Sequence, residues 1–90
     1  MKFDWGEEKA TRNLAKHGVS FDEAVSVFDD PLYIDFFDPE HSDREHRYIR
    51  VGCSERRRIL VVSYTERGSA IRLISARPAT NKERQAYEEK

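Results

Sequence analysis

Apolar residues fall at helical spacing in the first third of the chain and alternate with polar ones beyond it. Ala10, Leu14 and His17 lie on one stripe of a helix predicted over Glu7–His17, with Glu7 and Glu8 in its first turn and Gly18 as its stop. Ser20 and Glu23 have the spacing of a capping box, and Val19 and Ala24 that of a hydrophobic staple. They open a second helix whose buried face is Phe21, Ala24, Val25, Val27 and Phe28, and Asp29-Asp30-Pro31 ends it. After Pro31 the period becomes extended. Strands are predicted at Tyr33–Phe37, at His46–Val51 with a close at Gly52, at Ile59–Thr65 and at Ala70–Ala76. Asp38-Pro39-Glu40 reads as a turn, Ser54–Arg58 as a charged loop and Arg67-Gly68-Ser69 as a hairpin turn. Lys2–Trp5 can add a short edge strand. Thr80 and Glu83 form a second capping box, opening a helix to about Glu89. Four consecutive strands joined by short turns predict an α+β fold, with a small antiparallel sheet and the helices on one face.

Composition narrows this only in part. Ninety residues leave room for one domain, and no apolar run approaches the roughly 20 residues of a membrane span. The N-terminus lacks the apolar stretch of a secretory signal, and the single Cys53 cannot form an internal disulfide, so a reducing cytoplasm is the expected compartment. The net charge of -1 conceals an asymmetry. Residues 1–45 carry 5 Lys/Arg against 12 Asp/Glu, a balance of -7, whereas residues 46–90 carry 11 against 5, a balance of +6. Nearly all the later cations are arginines, which grip phosphate through a planar fork. A solvated, ion-paired surface is the bland expectation; a bipolar molecule with an anion-binding face in its second half is the sharp one.

No Gly-rich phosphate loop, zinc motif or paired-cysteine motif is present, and no cofactor or metal is expected. Asp29, Asp30, Asp35 and Asp38 suggest Mg²⁺, but helix-stop and turn roles explain most of them better. Metal-free RNA cleavage needs a base for the 2′-hydroxyl, a cation for the in-line phosphorane and an acid for the 5′-oxygen. Glu66, Arg67 and Arg77 suit the first two roles, and Lys16-His17 the third. Set against this, Glu66 and Arg67 equally fit an exposed hairpin corner, and His17 equally fits a helix end favoured by the dipole. Trp5 suits stacking on a base as well as a place in the core, and Tyr64 suits the core as well as an active-site floor. Nothing marks Cys53 as a nucleophile.

Several blocks resemble one family in order along nearly the whole chain. They are Phe3-Asp4-Trp5, Lys9-Ala10, Asn13-Leu14-Ala15-Lys16-His17-Gly18-Val19-Ser20-Phe21-Asp22-Glu23-Ala24, Val27-Phe28-Asp29-Asp30-Pro31, Tyr64-Thr65-Glu66-Arg67-Gly68, and Arg72-Leu73-Ile74-Ser75-Ala76-Arg77 with Thr80, Glu83, Arg84 and Tyr87. Together they resemble the BrnT family. The resemblance implies one toxin domain over residues 1–90, a RelE-like ribonuclease of a type II toxin–antitoxin system. It also implies a BrnA-like antitoxin, a ribbon-helix-helix dimer through which alone operator DNA is bound. On this reading Arg77, Arg67, Glu66, His17 and Lys16 are the catalytic candidates, and Tyr64, Arg72, Arg84 and Trp5 contact RNA. Pro78 departs from the family, which more often has a basic residue there. Two other readings stay open: a non-catalytic co-repressor module within an antitoxin–operator complex, and a metal-dependent nuclease.

Overall fold

The computed structural model describes residues 1–41 and 45–89. The elements are β1 (Lys2–Asp4), α1 (Glu7–His17), α2 (Phe21–Ser26), β2 (Ile34–Asp38), β3 (Arg47–Cys53), β4 (Ile59–Arg67), β5 (Ala70–Pro78) and α3 (Asn81–Glu88), with single 3-10 turns at Val27–Asp29 and Pro39–His41. The strands form one sheet in the order β1-β5-β4-β3-β2. β2 to β5 make the expected antiparallel meander, but β1 runs parallel to β5, so the sheet is mixed. The rest of the chain is the crossover that a parallel pair requires.

One face of the sheet carries the core. Leu60, Val62 and Tyr64 of β4 and Ile71, Leu73 and Ala76 of β5 meet Val19, Phe21, Ala24 and Val27. Gly52 on β3 is needed here, since a Cβ would come within 2.9 Å of Val27 Cγ1. Simple alternation along β5 would put Leu73, Ser75 and Arg77 on one face. A bulge prevents it: Ser63 pairs with Ser75 but Tyr64 pairs with Leu73, leaving Ile74 as the extra residue. Leu73 therefore enters the core, while Ser75 and Arg77 point away from it. On that opposite face Val51 and Val61 are also buried, and α3 packs against β3. Arg77 grips Glu83 of α3, so α3 leaves β5 on the side opposite the core, and the expectation of all helices on one face does not hold.

Two further expectations change. In α1 the buried residue is Asn13, whereas Leu14 is 52% exposed. The inward stripe is Ala10-Asn13-His17, because a polar amide is required where α1 meets the strand backbone. The Ser20 hydroxyl does accept from the Glu23 N–H, but the Glu23 carboxylate does not complete a capping box. It is held by Arg58 and by the Ser54 hydroxyl. The box at Thr80 and Glu83 is complete. No helix among the described residues is long and apolar enough to cross a membrane.

Candidate functional site

Six of the nine second-half arginines are paired with carboxylates, whereas Arg56 and Arg57, in the loop between β3 and β4, have no carboxylate partner among the described residues. Arg50 makes two bonds to Asp35, at 2.7 and 2.8 Å, and Arg67 two to Glu45, at 3.0 and 2.9 Å. Arg72 reaches Asp4 at 2.8 Å, and Arg58 holds Glu23. Arg77 holds Glu83 through two bonds of 2.8 and 2.9 Å, and Arg84 lies 3.9 Å from Glu88. Asp4, Glu23, Asp35 and Glu45 all come from the acidic first half. Folding therefore cancels much of the charge asymmetry of the sequence.

The opposite holds on α1. Lys9, Arg12 and Lys16 share one helix face by their i, i+3, i+7 spacing. With Asn13, His17, Ile74 and Ser75 they line an open cleft of about 320 Å³ between α1 and β5. Among the described residues Lys9, Lys16 and His17 make no ion pair, and Arg12 has only an exposed 3.4 Å contact with Glu8.

Asn13 fixes the cleft. β1 covers β5 only as far as Arg72, so the edge of β5 is open beyond that point. The Asn13 amide closes it, donating to Ala76 O at 2.8 Å and accepting from Ala76 N at 3.0 Å, with a further bond to Val19 O at 2.9 Å. One side chain thus substitutes for a neighbouring strand and seats α1 against β5 at the bulge.

The predicted site residues separate into groups. Lys16 and His17 face Ser75, which shares its side of the sheet with Arg77; the two positions are about 7 Å apart along the strand. Glu66 and Arg67 lie at the other end of the β4–β5 hairpin, opposite Ile71 and Ala70. Seven residues of strand, about 23 Å, separate Ala70 from Arg77, so Arg67 and Arg77 do not meet at one phosphate. Arg72 stands by β1, and Arg84 is exposed on α3. Trp5 packs edge-on against Phe21 with ring centres 5.7 Å apart, as a core residue would.

Tyr64 is buried in the core, and its hydroxyl donates to Asp35 at 2.9 Å. Burial and that bond push its pKa far above the ordinary phenol value, so it stays neutral at physiological pH. Glu83 behaves oppositely: the bonds from Arg77 outweigh desolvation and lower its pKa to about 2. Lys9, Arg12, Asn13 and Ser75 were given no functional role from the sequence, although the spacing of residues 9, 12, 13 and 16 on one helix face was visible there. Among the described residues no group of three or more His, Cys, Asp or Glu side chains is placed to hold a metal ion.

Residues 5–83 match the family model described as the ribonuclease toxin, BrnT, of a type II toxin–antitoxin system. A 1.1 Å crystal structure of the Brucella abortus ribonuclease toxin BrnT is similar, with a TM-score of 0.66 and 27% sequence identity over 90% of this chain and 99% of that one. No curated protein sequence matches the chain. Since the family model spans most of the sequence, the chain belongs to the BrnT family of ribonuclease toxins of type II toxin–antitoxin systems.

Proposed function

We propose that this protein is a single-domain, RelE-like endoribonuclease that cuts RNA without a metal ion, and that the cleft between α1 and β5 is where it does so. The observation carrying this reading is the convergence of Lys9, Arg12, Lys16 and His17 on one open cleft beside a strand bulge. A set of cations on one wall attracts a phosphodiester backbone. Reaction begins when the RNA's own 2′-oxygen attacks the adjacent phosphorus. The 2′-O–P bond forms as the P–O5′ bond breaks, the 2′-proton passes to a base and the 5′-oxygen takes a proton from an acid. His17 is the proton-transferring group at the cleft, and Lys9, Arg12 and Lys16 hold the flanking phosphates. Arg77 stabilises the phosphorane charge. Its two bonds to Glu83 fix the guanidinium plane and leave its Nε–H free to donate. Glu66, Arg67 and Arg72 fall outside this cleft.

Inhibition of translation follows from RNA loss in the cytoplasm, and a BrnA-like ribbon-helix-helix antitoxin neutralises the enzyme and carries the contact with operator DNA. The test is cleavage of RNA by the purified protein in EDTA, with analysis of the new ends. The expected products carry a 2′,3′-cyclic phosphate or its 3′-phosphate hydrolysis product, because the nucleophile belongs to the RNA. Products ending in a 3′-hydroxyl, or activity lost in EDTA and restored by Mg²⁺, would refute the mechanism.

A further inference from the structure

The hairpin between β3 and β4 is built in a way its own stability does not require. Ser54 O accepts from Arg57 N at 2.9 Å, and Ser54 N donates to Arg58 O at 2.8 Å. This is the pattern of a type I turn closed by a G1 bulge. The bulge position needs a left-handed backbone, which glycine adopts without strain. Here it holds Arg57, with φ 63°, the only non-glycine residue of positive φ among the described residues. The Arg57 side chain is exposed, so no packing offsets that strain.

The rest of the loop is firmly held. The buried Ser54 hydroxyl donates to Glu23 and accepts from the Arg56 and Arg58 N–H groups at 3.2 and 3.3 Å. Glu55 N donates to the Ser26 hydroxyl at 2.8 Å, which sets Glu55 over α2. Arg58 bonds Glu23 and also reaches Gly18 O at 3.0 Å, at the end of α1 that carries Lys16 and His17. Leu60 pairs with Pro78, and Ala79 N donates to Ile59 O at 2.9 Å, so the loop also lies where β5 finishes. It therefore adjoins the ends of both elements that form the cleft.

Charge at the tip is uncommitted. Arg58 is spent on Glu23, but Arg56 and Arg57 are exposed and bonded to no carboxylate among the described residues. Beyond the Arg58 bonds that chiefly lower the Glu23 pKa, the charge of Arg56 lowers it further, which places Arg56 on the α2 side of the loop. Two guanidinium forks on a rigid turn suit phosphate oxygens. Resting on the reading of the α1–β5 cleft as an RNA site, we propose that Arg56 and Arg57 form a second phosphate subsite, gripping the RNA backbone where the strand leaves the cleft past Gly18. The row of Lys9, Arg12 and Lys16 runs along α1 towards this loop, and a strand with regularly repeated phosphates occupies both sets of cations at once. Arg56 and Arg57 bind away from the reacting atoms. They set affinity and the length of RNA required, not the rate of the chemical step.

The test compares the full chain with its Arg56→Ala/Arg57→Gly variant, reading affinity for an RNA made uncleavable by 2′-deoxy substitution and cleavage of the unmodified RNA. Affinity is expected to fall about 10-fold at low salt, and the slope of log K against log salt to become shallower by roughly 1.4, the share of two single-strand phosphate contacts. KM should rise with kcat unchanged. The difference between the two proteins should vanish as the RNA is shortened from one end, because a short strand no longer reaches the loop. Arg57→Gly alone should raise the melting temperature by relieving the left-handed strain, and Arg57→Lys should keep most of the affinity. If the unsubstituted chain binds RNA without cutting it and the double variant loses that affinity, the subsite stands and the enzymatic reading fails. Affinity within about 2-fold and an unchanged salt slope, in a chain that does cleave RNA, would overturn the subsite and leave the cleft reading intact. Unchanged RNA affinity with antitoxin affinity lost would assign the two arginines to the protein partner and overturn the subsite as well. An unsubstituted chain that binds no RNA would overturn both readings.

Discussion

The α1 wall of the cleft and the arginines of the sheet carry the same sign of charge to opposite ends. Arg50, Arg58, Arg67 and Arg72 are each bonded to a carboxylate from the acidic first half of the chain, while Arg77 is bonded to Glu83 through its terminal nitrogens and keeps its Nε–H for a ligand. Lys9, Lys16 and His17 have no such partner among the described residues, and they come from that acidic half. Ion pairing commits a cation to geometry; a cation left facing an open cleft is available to a ligand. Net charge by sequence segment draws attention to the second half of this molecule, whereas pairing in the fold draws it to α1, and the proposed cleft rests on the second of these.

The largest effects should come from His17 in the cleft and from Arg77, two residues along β5 from Ser75 of its wall. His17→Ala and Arg77→Ala are each expected to slow RNA cleavage by about 100-fold or more, the scale of a lost proton-transfer or charge-stabilising group. Single-turnover assays on protein of unchanged circular dichroism measure this. Full activity in His17→Ala would move proton transfer out of the cleft.

Next in size is Asn13→Ala. It removes three hydrogen bonds and leaves the Ala76 N–H and C=O without partners at a buried strand edge. A loss of about 2–4 kcal/mol in urea unfolding is expected. A loss under 1 kcal/mol would mean that water replaces the amide easily and that Asn13 does not seat α1.

A smaller, pH-dependent effect belongs to Glu83. Its pKa is about 2 in the folded protein against an ordinary 4.5, so its contribution is full above about pH 4.5 and is lost as pH falls towards 2. Glu23, lowered chiefly by the Arg58 bonds, adds in the same direction. Glu83→Gln should lower the melting temperature at pH 7 and flatten its decline between pH 4.5 and 2. An unchanged acid limb would show that the pair with Arg77 does not form in solution.

The smallest effect is expected at Arg67, the cation of the exposed hairpin end. Its partner Glu45 is largely exposed, and such pairs contribute little to stability. Arg67→Ala should leave melting unchanged and cleavage within about 3-fold, since the site lies about 23 Å of strand from Arg77. A 100-fold loss would erase the distinction between the two regions.

Much of the fold was legible because periodicity reports burial directly. The meander of β2 to β5, both early helices and the Thr80–Glu83 box follow from residue patterns. What escaped depends on contacts distant in sequence. The parallel pairing of β1 joins residues 2–4 to 70–72, and the bulge at Ile74 appears only in the register between β4 and β5. Asn13 was hidden because a polar residue beside Leu14 reads as surface until a strand edge is placed against it. Glu23 looked like half of a capping box because Arg58 is 35 residues away. Of the proposed site, Lys16, His17 and Arg77 were named as candidates from the sequence, while Lys9 and Arg12 were given no role because attention to charge followed the arginine-rich second half.

The most direct measurement is amide chemical-shift mapping by NMR with a short RNA made uncleavable by 2′-deoxy substitution. If the cleft binds the substrate, the perturbed amides should cluster along α1 from Lys9 to Gly18 and on β5 from Ile74 to Arg77, weakening as salt is raised. Perturbations confined to residues 65–72 at the hairpin end, with α1 silent, would contradict the assignment of the cleft.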